Sequence, residues 1–361
     1  MGNVLLTQLQ LGDKIQEDVV TPLGGILMRR GDTITERTVE ILQAFLIASV
    51  AIEDGTEPIE ENKNFIGLSD TPRASMEQQP KQQLQVAYKQ MFQLLKKLYQ
   101  SYTVDQPFPL LDVRVQLNQL LQHITTYNVL TFVPDHYTEQ DYYIHNNVCS
   151  ALTAYKLAQW SDMKQQEWMQ IALAGLLKDI GYVKVDRNIL VKPETLTDEE
   201  LEEVHQHTVK GYQLLKNIAA LNEGAKLASL QHHERADGTG YPLGIHDKNI
   251  HQYAKIISIV DTYHAMTLRN TYRHAISPYL VLEKLHREAF GKLDPYLVTL
   301  FIEKATQFHS GKVVRLSDNR VGMIIFSDRQ QPTRPWVNVD GQIINLINER
   351  NLYIKEIIDV K

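Results

Sequence analysis

The residues most able to do chemistry are concentrated at 232–242, which read His-His-Glu-Arg-Ala-Asp-Gly-Thr-Gly-Tyr-Pro. Imidazoles with nearby carboxylates are the ligands that hold divalent iron, manganese or zinc for hydrolysis. Gly238 and Gly240 let the following loop fold tightly and bring backbone close to a ligand. A His-His pair alone is a weak signal, and the whole run through Pro242 is a far more specific one. Asp261 lies in the apolar stretch KIISIVDTYHAM. A buried carboxylate without a partner is costly, so Asp261 needs a metal, a cation or a hydrogen-bond donor. His205 and His207 are two residues apart on one expected helix and face different sides, and we take His207 as the one entering a shared site. Asp179, at the end of another expected helix, is either a ligand or a turn residue. His145 by itself reads as a buried, hydrogen-bonded histidine. For His232 and His233 the competing reading is a helix C-terminus that favours imidazolium through its dipole.

The elements that must position these groups are mostly helical. Apolar spacing predicts helices over residues 83–102, 111–127, 140–160, 166–179, 198–215, 221–231, 253–268 and 278–288. Thr197 followed by Glu200 is a capping box that specifies one start. After Gly311 the pattern changes, and residues 313–316, 321–326, 336–339 and 343–346 read as strands. Short β-like runs near Val19, Ile26 and Val50, with a helical stretch at 35–45, suggest a small mixed unit at the start. The fold is therefore expected to be mainly α, with small β-containing domains at both ends, α+β overall. The expected divisions are a small α/β accessory domain at 1–53, a polar linker at 54–82 and connecting helices at 83–134. A helical domain at 135–310 carries the chemistry, and a small β domain covers 311–361. The helix at 83–102 could pair with a second copy, or pack intramolecularly.

Composition bounds the function. The chain has 361 residues, 43% of them hydrophobic and 22% charged, which is ordinary for globular protein. A net charge of −6 gives no overall drive toward DNA or an anionic membrane. The single cysteine, Cys149, excludes an intrachain disulfide and a cysteine-rich zinc module. Residues 1–14 lack a signal-peptide profile, and no apolar run is long enough for a membrane span. A cytoplasmic location is expected.

The run at 232–242 resembles the HD-GYP subgroup of the HD metal-dependent phosphohydrolases, over residues 135–310. Lys192-Pro193, Leu196-Thr197, His207 before Gly211, and Tyr272-Arg273 carry the same resemblance. It implies an HD-type helical bundle, two or three divalent metals (Fe, Mn or other) and hydrolysis of cyclic di-GMP by a metal-bridging hydroxide. It places metal ligands at His145, Asp179, His207, His232, His233 and Asp261, with Asp179 and position 178 at the catalytic pair. Gly238, Gly240, Tyr241, Lys192, Arg269 and Arg273 fall at substrate-binding places.

The chain departs from the pattern where it matters. The family has His-Asp at 178–179, and this chain has Lys178-Asp179. An ammonium has no lone pair to give a metal, and its charge repels one. By resemblance, one metal would use His145, position 178, Asp179 and Asp261, and the other Asp179, His207, His232 and His233. Only the second set is complete, so we expect one ion rather than two, with Lys178 bridging Asp179 and Asp261. The family's lysine soon after the pair is Tyr182 here, an aspartate is His264, and its Arg-Pro is Asn270-Thr271. The expectation is a partly degraded phosphodiesterase, weak or inactive, acting as a binding or regulatory module in bacterial cyclic-dinucleotide signalling. The alternatives are an active cyclic di-GMP phosphodiesterase and a purely structural interaction protein. A cyclic dinucleotide, a protein partner or a homodimer are the partners considered.

Overall fold

The computed structural model describes residues 3–5, 9–20, 26–35, 38–39, 42, 47, 49–52, 74–102, 107–190, 192, 194–269, 274–307 and 309–358. Near the start, strands β1 (Asn3–Leu5) and β4 (Ser49–Ala51) pair antiparallel, as do β2 (Val19–Val20) and β3 (Ile26–Met28). Ile15, Val19, Met28, Ile34, Leu42 and Val50 form a separate small core there. Most of the helix expected at 35–45 lies outside the described residues.

Helix α1 (Ala74–Ser101) is longer than the spacing predicts. Residues 54–73 of the expected linker lie outside the described residues, but 74–82 are helical. Polarity and Pro80 suggested a linker there, yet alanine, methionine, glutamine and glutamate are strong helix formers, and Pro80 sits inside the helix. Leu84, Tyr88, Met91, Leu95 and Leu98 form one buried stripe. Helix α2 (Leu110–Leu121) packs on it, burying Val113, Leu117 and Leu120.

The helical centre is built on α3 (Tyr142–Trp160), where every residue from 144 to 154 is buried. A helix buried all round sits in the middle of a bundle rather than at its surface. Helices α4 (Gln165–Leu177) and α9 (Gln252–Thr267) pack against it. Between α4 and α9 come α5 (Arg187–Leu190), α6 (Asp198–His205), α7 (His207–Leu215) and α8 (Glu223–Gln231). The capping box at Thr197 forms, with Glu200 accepting from the Thr197 amide at 2.8 Å.

The expected helix at 198–215 is two helices, broken at Gln206. The His207 imidazole takes the Val204 carbonyl at 2.7 Å, and the Thr208 hydroxyl takes that of His205 at 3.0 Å. Side chains thus replace backbone donors at two carbonyls, which lets the second helix tilt. Helices α10 (Pro278–Glu288) and α11 (Pro295–Thr306) each begin with a proline, where the missing N–H costs nothing. No helix among the described residues is long and apolar enough to cross a membrane.

The C-terminal strands β5 (Val313–Leu316), β6 (Val321–Phe326), β7 (Trp336–Val339), β8 (Gln342–Asn345) and β9 (Ile354–Ile358) form one antiparallel sheet in the order β8-β7-β6-β5-β9. The spacing did not single out β9. Its inner residue Ile354, with Val314, Leu316, Ile324, Val337 and Ile344, belongs to the same apolar core as the helices.

One contact aims the site. Gly181, in the turn just after Asp179, lies so close to α7 that a Cβ there would overlap the His207 carbonyl oxygen. We expect Gly181→Ala to lower unfolding free energy by about 3 kcal/mol through overpacking. Urea denaturation checks this, and a loss below about 1 kcal/mol would contradict the close-packing account.

Candidate metal centre

Asp179 follows α4, His207 opens α7, and His232 and His233 follow α8. One donor atom from each lies within 4.8 Å of all the others. Asp179 Oδ1 is 3.3 Å from His207 Nε2 and 3.4 Å from His232 Nε2, and the two Nε2 atoms are 3.4 Å apart.

Backbone carbonyls fix which nitrogen of each ring faces inward. His207 Nδ1 lies 2.7 Å from the Val204 carbonyl, and His232 Nδ1 lies 3.1 Å from those of Ala228 and Ser229. A carbonyl only accepts, so both Nδ1 atoms carry the proton and donate. In the neutral rings both Nε2 lone pairs then point at the carboxylate. Burial lowers the pKa of His232, which favours its neutral form even though Asp179 pulls the other way. Three lone-pair atoms converging without a donor repel one another, and a cation relieves the conflict. Separations of 3.3–3.4 Å match the edges of a tetrahedron with bonds of about 2.0–2.1 Å, the lengths of zinc to nitrogen and oxygen. These residues fit a divalent ion, and an outer partner on each Nδ1 is the usual support for a ligating imidazole.

Beside this cluster Lys178 is 0% exposed. Its Nζ bonds Asp179 Oδ2 and lies 2.8 Å from Asp261 Oδ1. Burial disfavours the ammonium, but the two carboxylates outweigh burial and raise its pKa above the ordinary lysine value. Burial also disfavours the Asp179 carboxylate, yet the Lys178 ammonium outweighs burial and holds its pKa well below the usual range. Asp261 therefore has a cation partner and lies outside the four-residue cluster.

His145 is not brought into the cluster. It is buried, its Nδ1 is 3.0 Å from the Tyr88 hydroxyl, and its ring stacks on Phe92 at 4.4 Å. Burial lowers its pKa to about 4. The next residue, Asn146, turns its amide toward Asp261 at 3.5 Å instead. His264 is buried against the Thr153 hydroxyl at 2.7 Å, and burial lowers its pKa to about 3.

Aromatic rings wall the cluster. Tyr182 stacks on His207 at 4.4 Å, and Tyr241 stacks on His233 at 4.6 Å and on His205 at 3.9 Å. The loop behind Tyr241 is held by Glu234, whose carboxylate accepts from the amides of Leu243 and Ile245 at 2.7 and 3.2 Å. Gly240 presses against the backbone of residues 233–235, where a Cβ would overlap it, and Gly238 takes a positive φ of 79°. The Tyr241–Pro242 peptide is cis.

Of the cations expected at substrate, Lys192 pairs with both oxygens of Glu200 at 2.7 Å. Arg269 pairs with Glu139 at 2.6 Å. Arg273 lies outside the described residues. Sequence reading did not name Tyr88, Phe92 and Tyr99 of α1, which cover this side of the bundle. Tyr99 accepts from Asn147 at 2.8 Å, and burial first, then the Asp179 charge, raises its pKa. Their spacing of four and seven residues on one helix face was the available signal.

Residues 125–297 match a family model described as HD domain. The chain is 27% identical over 208 residues to cyclic di-GMP phosphodiesterase PdeB of Borreliella burgdorferi, covering 57% of this chain and 55% of the relative. It is 31% identical over 206 residues to cyclic di-GMP phosphodiesterase PA4108 of Pseudomonas aeruginosa, covering 57% and 48%. A Thermotoga maritima cyclic di-GMP phosphodiesterase is 36% identical over 154 residues, covering 41% and 40%. The chain thus spans about half the length, or less, of these relatives. Among solved structures, Bd1817, a HDG"Y"P protein from Bdellovibrio bacteriovorus, aligns with a TM-score of 0.45 at 15% identity, covering 83% of this chain and 97% of that one.

The Lys178 bridge has a defined pH window. Asp179 has a lowered folded pKa, so its contribution is present above the unfolded value of about 3.9 and is lost as pH falls through the folded one. Lys178 has a raised folded pKa, so its contribution is complete below about 10.4 and is lost above it. Lys178→Met leaves two buried carboxylates without their cation and should cost about 3–5 kcal/mol. Thermal melts should show that loss steady from about pH 5 to 9 and shrinking below about pH 4. A variant as stable as the parent at neutral pH would refute the bridge.

Proposed function

We propose that this chain, whose residues 125–297 match an HD domain, is a divergent cyclic-dinucleotide phosphodiesterase of the HD-GYP kind. In this reading it keeps a one-ion centre and serves bacterial cyclic-dinucleotide signalling as a weak hydrolase or a binding and regulatory module. The observation that carries the reading is the buried Lys178 ammonium between Asp179 and Asp261. It stands where the resemblance puts a metal-binding imidazole, and it neutralises two carboxylates that a second ion would need.

Asp179, His207, His232 and His233 would hold the ion. A bound divalent ion supplies Lewis-acid charge and, at neutral pH, a hydroxide. Lys178 contributes no charge to a phosphate, because it is fully buried and committed to two carboxylates. Lys192 and Arg269 are likewise committed, to Glu200 and Glu139. Tyr182 places a ring against His207 where the family has a cation. The chain's own residues can position a phosphodiester between Tyr241 and the cluster, but they offer little positive charge to the transition state. Losing one such contact costs about 3–4 kcal/mol, or roughly 100–1000-fold in rate, by analogy with a removed oxyanion donor.

The complete set of one carboxylate and three imidazoles favours a second reading, retained hydrolysis of cyclic di-GMP. Metal analysis of the purified protein, beside a phosphodiesterase assay with added Mn or Fe, separates the two. We expect one ion per chain and slow turnover. Lys178→His with Tyr182→Lys should take up a second ion and raise turnover by roughly 100-fold. Brisk hydrolysis by the unaltered protein with two bound ions would sink the one-ion reading, and binding of no ion would sink both.

A further inference from the structure

A cleft of about 490 Å³ opens between α10, α11 and the loop joining β6 to β7. It shares no residue with the metal cluster. Its size lies within the roughly 300–1,000 Å³ usual for small-molecule sites. Glu283, His286 and Arg287 line it from α10, Thr299 and Glu303 from α11, and residues 329–334 from the loop.

Its shape is fixed at one end by a two-pronged ion pair. Arg334 meets Glu283 with Nε to Oε1 at 2.7 Å and Nη2 to Oε2 at 2.9 Å. The third nitrogen, Nη1, donates to the Leu352 carbonyl at 2.6 Å. This geometry ties the helical bundle, the loop and the chain leading to β9 together.

With that pair neutral, the cleft keeps Arg287 on the helix wall and Arg329 on the loop wall against the single charge of Glu303. Both arginines are exposed, and neither forms an ion pair among the described residues. The surplus is positive in a chain whose net charge is −6. Unpaired guanidinium groups on two walls suit phosphate, which they can hold with paired N–H donors. Gln330, Gln331 and Thr333 add neutral donors, while Glu303 can only accept and so suits a hydroxyl or a ring N–H. A nucleotide carries both kinds of group at this size.

We propose that this cleft binds a nucleotide, with its phosphate between Arg287 and Arg329 and its hydroxyl or ring N–H groups toward Glu303. The site is independent of the metal centre, and EDTA in the binding buffer keeps the two apart. The test is calorimetric titration of the full chain with inorganic phosphate, GMP, AMP and cyclic di-GMP. At least one nucleotide should bind, and more tightly than phosphate. Arg287→Glu and Arg329→Glu should each weaken that binding by about tenfold or more, whereas Arg114→Glu, exposed on α2 and outside the cleft, should leave it unchanged. Glu303→Gln should tighten inorganic phosphate while weakening the nucleotide. All of these side chains are exposed, so thermal melts should confirm that the variants fold. No binding of any nucleotide at millimolar concentration, or binding indifferent to both arginine exchanges, would overturn the proposal.

Discussion

The chemistry of this molecule turns on one ammonium held between two carboxylates. Lys178 is fully buried, and a lone charge at that depth would shed its proton or destabilise the fold. It keeps its proton because Asp179 and Asp261 flank it, and in return it holds the Asp179 carboxyl well below its usual range. The arrangement is mutually dependent. One consequence is that Asp179 keeps one oxygen for Lys178 and turns the other to His207 and His232. The lysine thus orients a ligand that it cannot itself join.

Backbone makes the rest of the centre. The break at Gln206 frees carbonyls for the His207 ring, and the close approach of Gly181 brings that helix end onto the turn after Asp179. His232 gains its orientation from the carbonyls of the preceding turn of α8. The rings are therefore set before any ligand arrives, and side-chain freedom is surrendered during folding rather than on binding.

Much of this was legible in the sequence, for reasons that differ from residue to residue. His232 and His233 stood out because the loop glycines follow them directly, whereas Asp179 and His207 were named as ligands through the family resemblance. The ends of α10 and the strand β6 were readable because Pro278 and the turn residues around them are strong punctuation. His145 could not be judged the same way. Whether a helical histidine faces a metal or an aromatic pocket depends on rotation by one residue, and Tyr88 and Phe92 come from a helix more than fifty positions away in the chain. The start of α1 was hidden because polarity and Pro80 were given more weight than the helix propensity of its alanine, methionine, glutamine and glutamate residues. Strand β9 escaped because its pairing partner, β5, lies across a long stretch of chain.

The division of the chain near residue 310 is one of pattern, since the apolar interior runs on across it. Val314, Leu316, Ile324 and Ile354 share a continuous interior with residues as early as Leu84, and Ser277 is bonded to the Ile354 carbonyl. Excising the sheet would therefore uncover apolar residues of the bundle that the strands now bury, and bundle and sheet are expected to unfold together. The paired strands at the beginning share a small interior of their own, six buried residues among the described ones, which makes them the part expected to fray first.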